Sequence, residues 1–185
     1  MHPPAITRAL FKSLPDRQTT MLNHWSPEPW SERIVMRVKS RYPERIEYKA
    51  DSVWDGKTGG TITTSDERQI IFDTPKTYAG RGEGICPDEL FVAAVLGCLN
   101  NTFLDFQRRF EMELLSFTLK GKATAIFDGE GYMITGVSVS GEVVVGEDEL
   151  ETGQRCVTLM KQYCHLTRTI KDCLPFEYDI IVREG

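Results

Sequence analysis

One segment constrains the fold more than any other. It is a predicted helix from Pro87 to about Phe110 whose first half is apolar on nearly every face. Pro87 suits the first helical position, where its missing N–H costs nothing, and Asp88 and Glu89 favour the positive end of the helix dipole. Beyond Cys98 the apolar residues narrow to a stripe at helical spacing, namely Leu99, Phe103, Phe106 and Phe110. Such a helix has to lie at the centre of the structure, covered by other elements.

Short strands with turn signals between them flank this helix on both sides. Runs of antiparallel strands separated by single helices indicate an α+β fold, with antiparallel sheets wrapped around the long central helix. The predicted order is βββ-α-ββ-α-β. In chain order the predicted elements are strands over 45–54, 61–65 and 68–73, the central helix, a hairpin of 114–127 and 132–145, a helix over 147–163 that continues irregularly over 164–171, and a strand over 176–182.

The first 43 residues differ in composition from the remainder of the chain. They hold six of the nine prolines and two of the three tryptophans, and only 5–14 has a helical pattern. We therefore predict an irregular N-terminal extension over residues 1–43, packed on the main body or on a partner subunit, and a single domain over 44–185.

Charge and hydropathy limit the partners and the compartment. The net charge is −5, and Lys and Arg are scattered, so neither nucleic acid nor an anionic membrane surface is an expected partner. No stretch reads as a membrane span of 18 or more apolar residues, and the proline-rich start lacks the apolar run of a secretory signal. We expect a cytoplasmic protein.

Five cysteines, at positions 86, 98, 156, 164 and 173, are an odd number and too few for a disulfide scaffold in a chain of this length. The region from Cys156 to Cys173 has no C-x-x-C pair and one histidine, so no metal site is predicted. The glycines over 80–84 lack nucleotide-binding spacing, and no cofactor is expected. A single buried cysteine is most often an inert core residue.

Two motifs change that interpretation for Cys98 and Cys164. The segment PDELFVAAVLGC, from Pro87 to Cys98, resembles the OsmC/Ohr family motif, in which a Pro-acid-x-Leu start leads through small apolar residues to a cysteine. A second match is Tyr163-Cys164, followed by Thr167 and a run into the final strand. The motifs are separated by two strands and a helix, as in that family, and the similarity extends over about residues 45–183.

The resemblance implies a thiol-dependent peroxidase that reduces organic hydroperoxides in oxidative-stress defence. Cys98 would be the peroxidatic thiol, which becomes a sulfenic acid, and Cys164 the resolving thiol, which closes a disulfide. A dithiol reductant, lipoyl-type or a small thiol, would reopen that disulfide. The acidic position of the motif falls on Asp88.

The resemblance also implies an intertwined homodimer with each site formed from both chains. Interface residues would then line an apolar substrate pocket, and Phe91, Leu96 and Leu99 are the candidates. Such a lining favours bulky organic hydroperoxides.

The chain departs from the family pattern in the cation that should stabilise the Cys98 thiolate. The position of the family's arginine falls on Thr58, so Lys57 or Arg81 would have to substitute. Ten residues of ideal helix separate Asp88 from Cys98 by ~15 Å, so the carboxylate could act only through a bridging cation, or if the helix starts later.

A second departure is His165, which stands where the family usually has proline. It could lower the pKa of a neighbouring thiol or act as a general base, or it could be a surface histidine.

Two other functions stay open. The chain could be a non-catalytic OsmC-like dimer that binds a small apolar ligand, or a redox-sensing structural dimer whose cysteines cross-link without turnover. A cation that reaches Cys98 would favour the peroxidase, because without one the thiol stays mostly protonated.

Overall fold

The computed structural model describes residues 43–185, of which Tyr48–Gly185 form one compact unit. The predicted extension over residues 1–43 lies outside the described residues except for residue 43. The elements, in chain order, are β1 (Ala50–Trp54), β2 (Gly59–Thr64), β3 (Gln69–Asp73), a 3-10 helix (Lys76–Tyr78), α1 (Pro87–Arg109), β4 (Leu114–Phe127), β5 (Tyr132–Val145), α2 (Leu150–Tyr163), α3 (His165–Ile170) and β6 (Phe176–Glu184).

The strands form two three-stranded sheets, β1-β2-β3 and β4-β5-β6. The antiparallel meander and the long hairpin are confirmed, and the hairpin strands have the predicted bounds. In the second sheet β6 pairs in parallel with β5, so that sheet is mixed rather than antiparallel throughout. The reason is the connection between the two strands. After β5 the chain leaves the sheet through α2 and α3 and re-enters it as β6, and a helical crossover of this kind places the next strand parallel to the previous one.

Two helical segments differ from the prediction. Residues 164–171, predicted to be an irregular continuation, contain a separate helix, α3, and a short 3-10 helix lies in the loop over 75–86. Cys164 adopts an extended backbone, with φ −59° and ψ 124°, between α2 and α3. Its N–H donates to the carbonyl of Met160 and its carbonyl accepts from the N–H of Arg168, so the break leaves neither main-chain group unpaired.

The central helix α1 lies against the second sheet at Gly121. A Cβ added at Gly121 would lie 2.9 Å from Val92 Cγ1 and 3.1 Å from Leu96 Cδ2, so the absent side chain permits close contact. On the core side, α1 buries a stripe at helical spacing, Val95, Leu99 and Phe103. The stripe packs with valines of β5 and with residues of α2 in one core. Phe106 and Phe110 of the predicted stripe are only half-buried, and Ala93, Ala94 and Gly97 of the apolar first half are exposed, so a single chain covers α1 on one face rather than on all sides.

By length and composition alone, α1 is apolar enough to cross a membrane, which the sequence analysis did not expect of any segment. The core helix of a globular protein passes the same test. The buried stripe of α1 belongs to the common core with β5 and α2.

Candidate active site

The two cysteines singled out by their motifs lie side by side. Cys98, on α1, is half-buried, and Cys164, between α2 and α3, has no exposed surface. Burial raises the pKa of Cys164, and hydrogen bonding to the Cys98 side chain and the negative charge of its thiolate raise it further. Cys164 is therefore the thiol that resists ionisation, while Cys98 keeps access to the surface.

The position of Cys164 follows from the buried face of α2. Cys156 and Met160 lie one turn apart on that face, each with no exposed surface, and Cys164 comes four residues later. The extended backbone at Cys164 ends the helix there, so the thiol stays in the core beside α1.

Two residues that were not predicted as site residues complete the surroundings of Cys164. Thr167 of α3 is almost fully buried; its hydroxyl donates to the carbonyl of Cys164 at 3.4 Å, and its N–H and hydroxyl act to lower the pKa of that thiol. Tyr178 approaches from β6, and its pKa is raised by burial and by the charge of Cys164. Apolar and polar residues alternate along β6, and this alternation places Tyr178 on the core-facing side of the strand. The alternation is visible in the sequence and could have identified Tyr178 as a core-facing residue.

Asp88 does not approach the thiols. The helix begins at Pro87 and runs unbroken, so the alternative of a later start is excluded and the ~15 Å axial separation from Cys98 stands. The Asp88 carboxylate is exposed and accepts a weak contact from the Cys86 thiol at 3.9 Å. Within one chain the role predicted for Asp88 therefore requires a bridging cation, and it stays a prediction.

Lys57 lies in the turn between β1 and β2. Its N–H donates to the Asp55 carboxylate at 2.8 Å, and its carbonyl accepts from the Trp54 indole at 2.9 Å. The residue is exposed, and in the described part of the chain its main chain, not its ammonium group, makes these bonds.

Arg81 is engaged by carboxylates. Its guanidinium pairs with Asp55, and its Nε lies 3.4 Å from both Asp73 and Glu83. Asp73 is 1% exposed, and the Glu83 N–H, the Thr58 hydroxyl and other donors lower its pKa to about 2. The positive charge of Arg81 is thus balanced by neighbouring carboxylates. This argues against the hypothesis that Arg81 is the cation that stabilises the Cys98 thiolate.

The cluster nevertheless sits where the resemblance expects an arginine. Thr58 donates to Asp73 at 2.7 Å and accepts from the Arg81 N–H at 3.3 Å. The guanidinium of Arg81 therefore lies beside the hairpin position that Thr58 occupies, although it comes from a different segment of the chain.

His165 and Cys164 are neighbours in sequence but not in environment. His165 is the first residue of α3 and is exposed, whereas Cys164 is fully buried. Within one chain, the exposure of His165 therefore favours the alternative of a surface histidine over a direct contact with the Cys164 thiol.

The three predicted pocket residues differ in exposure. Phe91 and Leu96 are half-buried and pack on the core, whereas Leu99 is fully buried and offers no surface to a ligand in a single chain. A depression of about 510 Å³ lies elsewhere, across the second sheet, and its lining includes Lys120, Lys122, Ser138, Ser140, Glu177 and Asp179.

The remaining cysteines are separate from this pair. Burial raises the pKa of Cys156 to about 11. Cys173 is exposed, and its thiol donates to the carbonyl of Ile170 at 3.1 Å. Between residues 43 and 185 no group of three or more His, Cys, Asp or Glu side chains is arranged to hold a metal ion.

Sequence and structure comparisons place the chain in a family. The profile of the family described as OsmC-like protein matches residues 80–179, more than half of the chain. The chain belongs to the OsmC-like family. No curated protein sequence matches it at a significant level.

Solved structures of this family have the same fold. An OsmC-like protein of unknown function from Vibrio cholerae is 16% identical, with a TM-score of 0.62 over 75% of this chain and 100% of that chain. An OsmC-like protein from Mycoplasma pneumoniae is 13% identical, with a TM-score of 0.64 over 74% and 97%. An organic hydroperoxide resistance protein OsmC from Legionella pneumophila is 13% identical, with a TM-score of 0.59 over 75% and 98%. At these identities the likeness concerns the fold.

Proposed function

We propose that this OsmC-like protein is a thiol-dependent peroxidase that reduces organic hydroperoxides through Cys98 and Cys164. The observation that carries the proposal is that half-exposed Cys98 packs against the same core cluster that contains fully buried Cys164, and that it influences the Cys164 thiol. Hydroperoxide resistance in the name of the Legionella relative supports the same chemistry.

The difference in burial assigns the two parts. The Cys98 thiolate attacks the O–O bond; an S–O bond forms, the O–O bond breaks, and the alkoxide leaves and takes a proton from water. The Cys164 sulfur then attacks the sulfenic acid; the S–S bond forms and the hydroxyl leaves as water. Two electrons have passed to the hydroperoxide, and a dithiol reductant, lipoyl-type or a small thiol, restores both thiols by exchange.

A cytoplasmic homodimer is part of the proposal. One face of α1 consists of small, exposed residues, Ala93, Ala94 and Gly97, where a second helix could approach closely. The first sheet exposes large apolar residues that a second subunit could cover, among them Val53, Trp54 and Ile71. A partner would also convert half-buried Phe91 and Leu96 into the lining of an apolar pocket.

A non-catalytic binding or redox-sensing dimer is the second candidate. It is favoured by the carboxylates around Arg81, which balance the charge that the peroxidase reaction would use. Turnover distinguishes the two candidates.

The test is consumption of cumene hydroperoxide, with dihydrolipoamide as the dithiol, by the wild type and by Cys98→Ser and Cys164→Ser. Cys173→Ser is the matched control, because Cys173 is exposed and its thiol donates to the Ile170 carbonyl at 3.1 Å, a bond that a serine hydroxyl can replace. We expect both site variants to lose turnover and the control to keep it. If the wild type consumes no peroxide above the dithiol background, the peroxidase proposal fails.

A further inference from the structure

The depression across the second sheet is lined by one face of three neighbouring strands, β4, β5 and β6, and has a volume of about 510 Å³. The strand register sets its polar side chains in two rows, Lys120–Ser140–Asp179 and Lys122–Ser138–Glu177. Charge is therefore ordered across the strands: both lysines lie on β4, both serines on β5 and both carboxylates on β6.

This depression opens on the outer face of the sheet, away from the thiols. Side chains alternate along a strand, so the residues between the polar ones turn inward. Val139 is buried in the core, and a Cβ added at Gly121 would meet Val92 and Leu96 of α1. In the described part of the chain, no residue of a helix lines the depression. Cys98 belongs to α1, so the depression is separate from the candidate active site.

The opposite charges in the depression are two strands apart. Neighbouring strands are spaced by about 4.8 Å, so the backbones of β4 and β6 are separated by about 10 Å. On the same face, Arg183 and Glu142 lie on adjacent strands and pair, with Nε 2.8 Å from Oε1. Between residues 43 and 185, by contrast, none of the charged side chains of the depression forms an ion pair. They are left for a ligand that carries both charges itself.

We propose that the depression binds a small zwitterion of the size of a tripeptide. The ammonium group of the ligand contacts Glu177 and Asp179, its carboxylate contacts Lys120 and Lys122, and the serine hydroxyls between them pair with its amide groups. An extended peptide spans about 3.3–3.6 Å per residue, so three residues reach across the ~10 Å between the outer strands, whereas a single amino acid does not. This site goes beyond the proposed peroxidase function and does not depend on it.

The hollow shape of this face favours a small ligand over a second copy of the chain. A copy turned about a two-fold axis parallel to the strands would also set lysines opposite carboxylates. Two hollow faces would enclose a void, however, and atoms on either side of a gap lose their attraction. A volume of about 510 Å³ also lies within the range of small-molecule sites, about 300–1,000 Å³.

The test is a titration of the full, isotope-labelled chain with triglycine, followed by the NMR chemical shifts of its backbone amides. We expect shifts centred on residues 120–122, 138–140 and 177–179, with a Kd on the order of 1 mM, an ordinary affinity for so small a ligand. Triglycine amide lacks the carboxylate and acetyl-triglycine lacks the ammonium group, so each should bind about fivefold more weakly or worse. No shifts in these strands at about 20 mM triglycine, far above the expected Kd, or equal binding of triglycine and its amide, would overturn the inference.

Two double variants test the two walls of the depression separately. Lys120→Gln with Lys122→Gln should bind triglycine and its amide equally but still prefer triglycine to acetyl-triglycine. Glu177→Gln with Asp179→Asn should lose only the second preference. A general loss of structure would not produce this split.

Lys171→Gln, which changes an exposed lysine outside the depression, is the matched control and should keep both preferences. Retention of both preferences by either double variant would contradict the assignment. If the double variants instead lower the particle mass in light scattering and no peptide binds to this face, the face is an interface between copies and the inference is wrong.

Discussion

The Thr58 hydroxyl donates a hydrogen bond of 2.7 Å to the buried carboxylate of Asp73. This contact joins the turn between β1 and β2 to the end of β3, and through Arg81 to the glycine-rich loop that precedes α1. Asp73 also accepts from the N–H groups of Thr74 and Glu83, at 2.8 and 3.0 Å. One carboxylate therefore fixes the path of the chain into the central helix.

Asp73→Asn should lower the stability of the protein in a pH-dependent way. The pKa of Asp73 is lowered to about 2, so its ionised form contributes stability above the carboxyl's ordinary pKa, and that stability is lost as pH falls toward 2. We expect the melting temperature of the variant to lie about 5 °C below wild type at pH 7, with the difference shrinking between pH 4 and 2. Asp172→Asn, at an exposed position, is the control. A difference that stays constant down to pH 2 would contradict the assignment.

Gly121→Ala tests how closely α1 lies on the second sheet. The new Cβ would lie 2.9 Å from Val92 Cγ1 and 3.1 Å from Leu96 Cδ2, so side chains of α1 would have to shift. Overpacking of this kind costs about 1–3 kcal/mol in the free energy of unfolding. Denaturation by urea measures it. Gly131→Ala is the matched control, because nothing lies within 4 Å of its Cβ position, and an equal cost at both sites would argue against a close contact at Gly121.

The fold was largely predictable because the hydrophobic patterns that specify it are local. The alternation of β4 and β5 and the apolar run of α1 gave element type and bounds without knowledge of tertiary contacts. The parallel pairing of β6 with β5 could not be predicted from local patterns, because it depends on the position at which the chain re-enters the sheet after α2 and α3.

The candidate site was predictable only in part. The motifs identified Cys98 and Cys164, but not that Thr167 and Tyr178 would surround the buried sulfur, since those contacts bring together α3 and β6. The sequence offered Arg81 as a possible substitute for the family's arginine. It could not show that three carboxylates, which come from separate segments of the chain, pair with this side chain.

The cysteines should differ sharply in reactivity under native conditions. Cys156 has no exposed surface and a pKa raised to about 11, so at pH 8 only about one molecule in a thousand carries its thiolate. Cys173 is exposed. After brief treatment with iodoacetamide at pH 8, mass spectrometry should find Cys173 alkylated and Cys156 intact, whereas in urea both should react. Rapid labelling of Cys156 in the folded protein would show that this part of the core opens readily.

The exposed face of α1 gives a direct test of the homodimer. Nothing lies within 4 Å of a Cβ placed on Gly97 in a single chain, so Gly97→Ala and Gly97→Leu both fit a monomer. In a monomer either change should leave stability unchanged or raise it by up to about 1 kcal/mol, because glycine is a poor residue for a helix interior. If two α1 helices approach at this face, leucine should separate the subunits while alanine is better tolerated. Light scattering coupled to size exclusion measures the mass, and a wild-type mass near 42 kDa that falls to about half in Gly97→Leu is the expected result, given a chain of 21.0 kDa. A wild-type monomer, or a dimer unaffected by leucine, would exclude α1 from the interface.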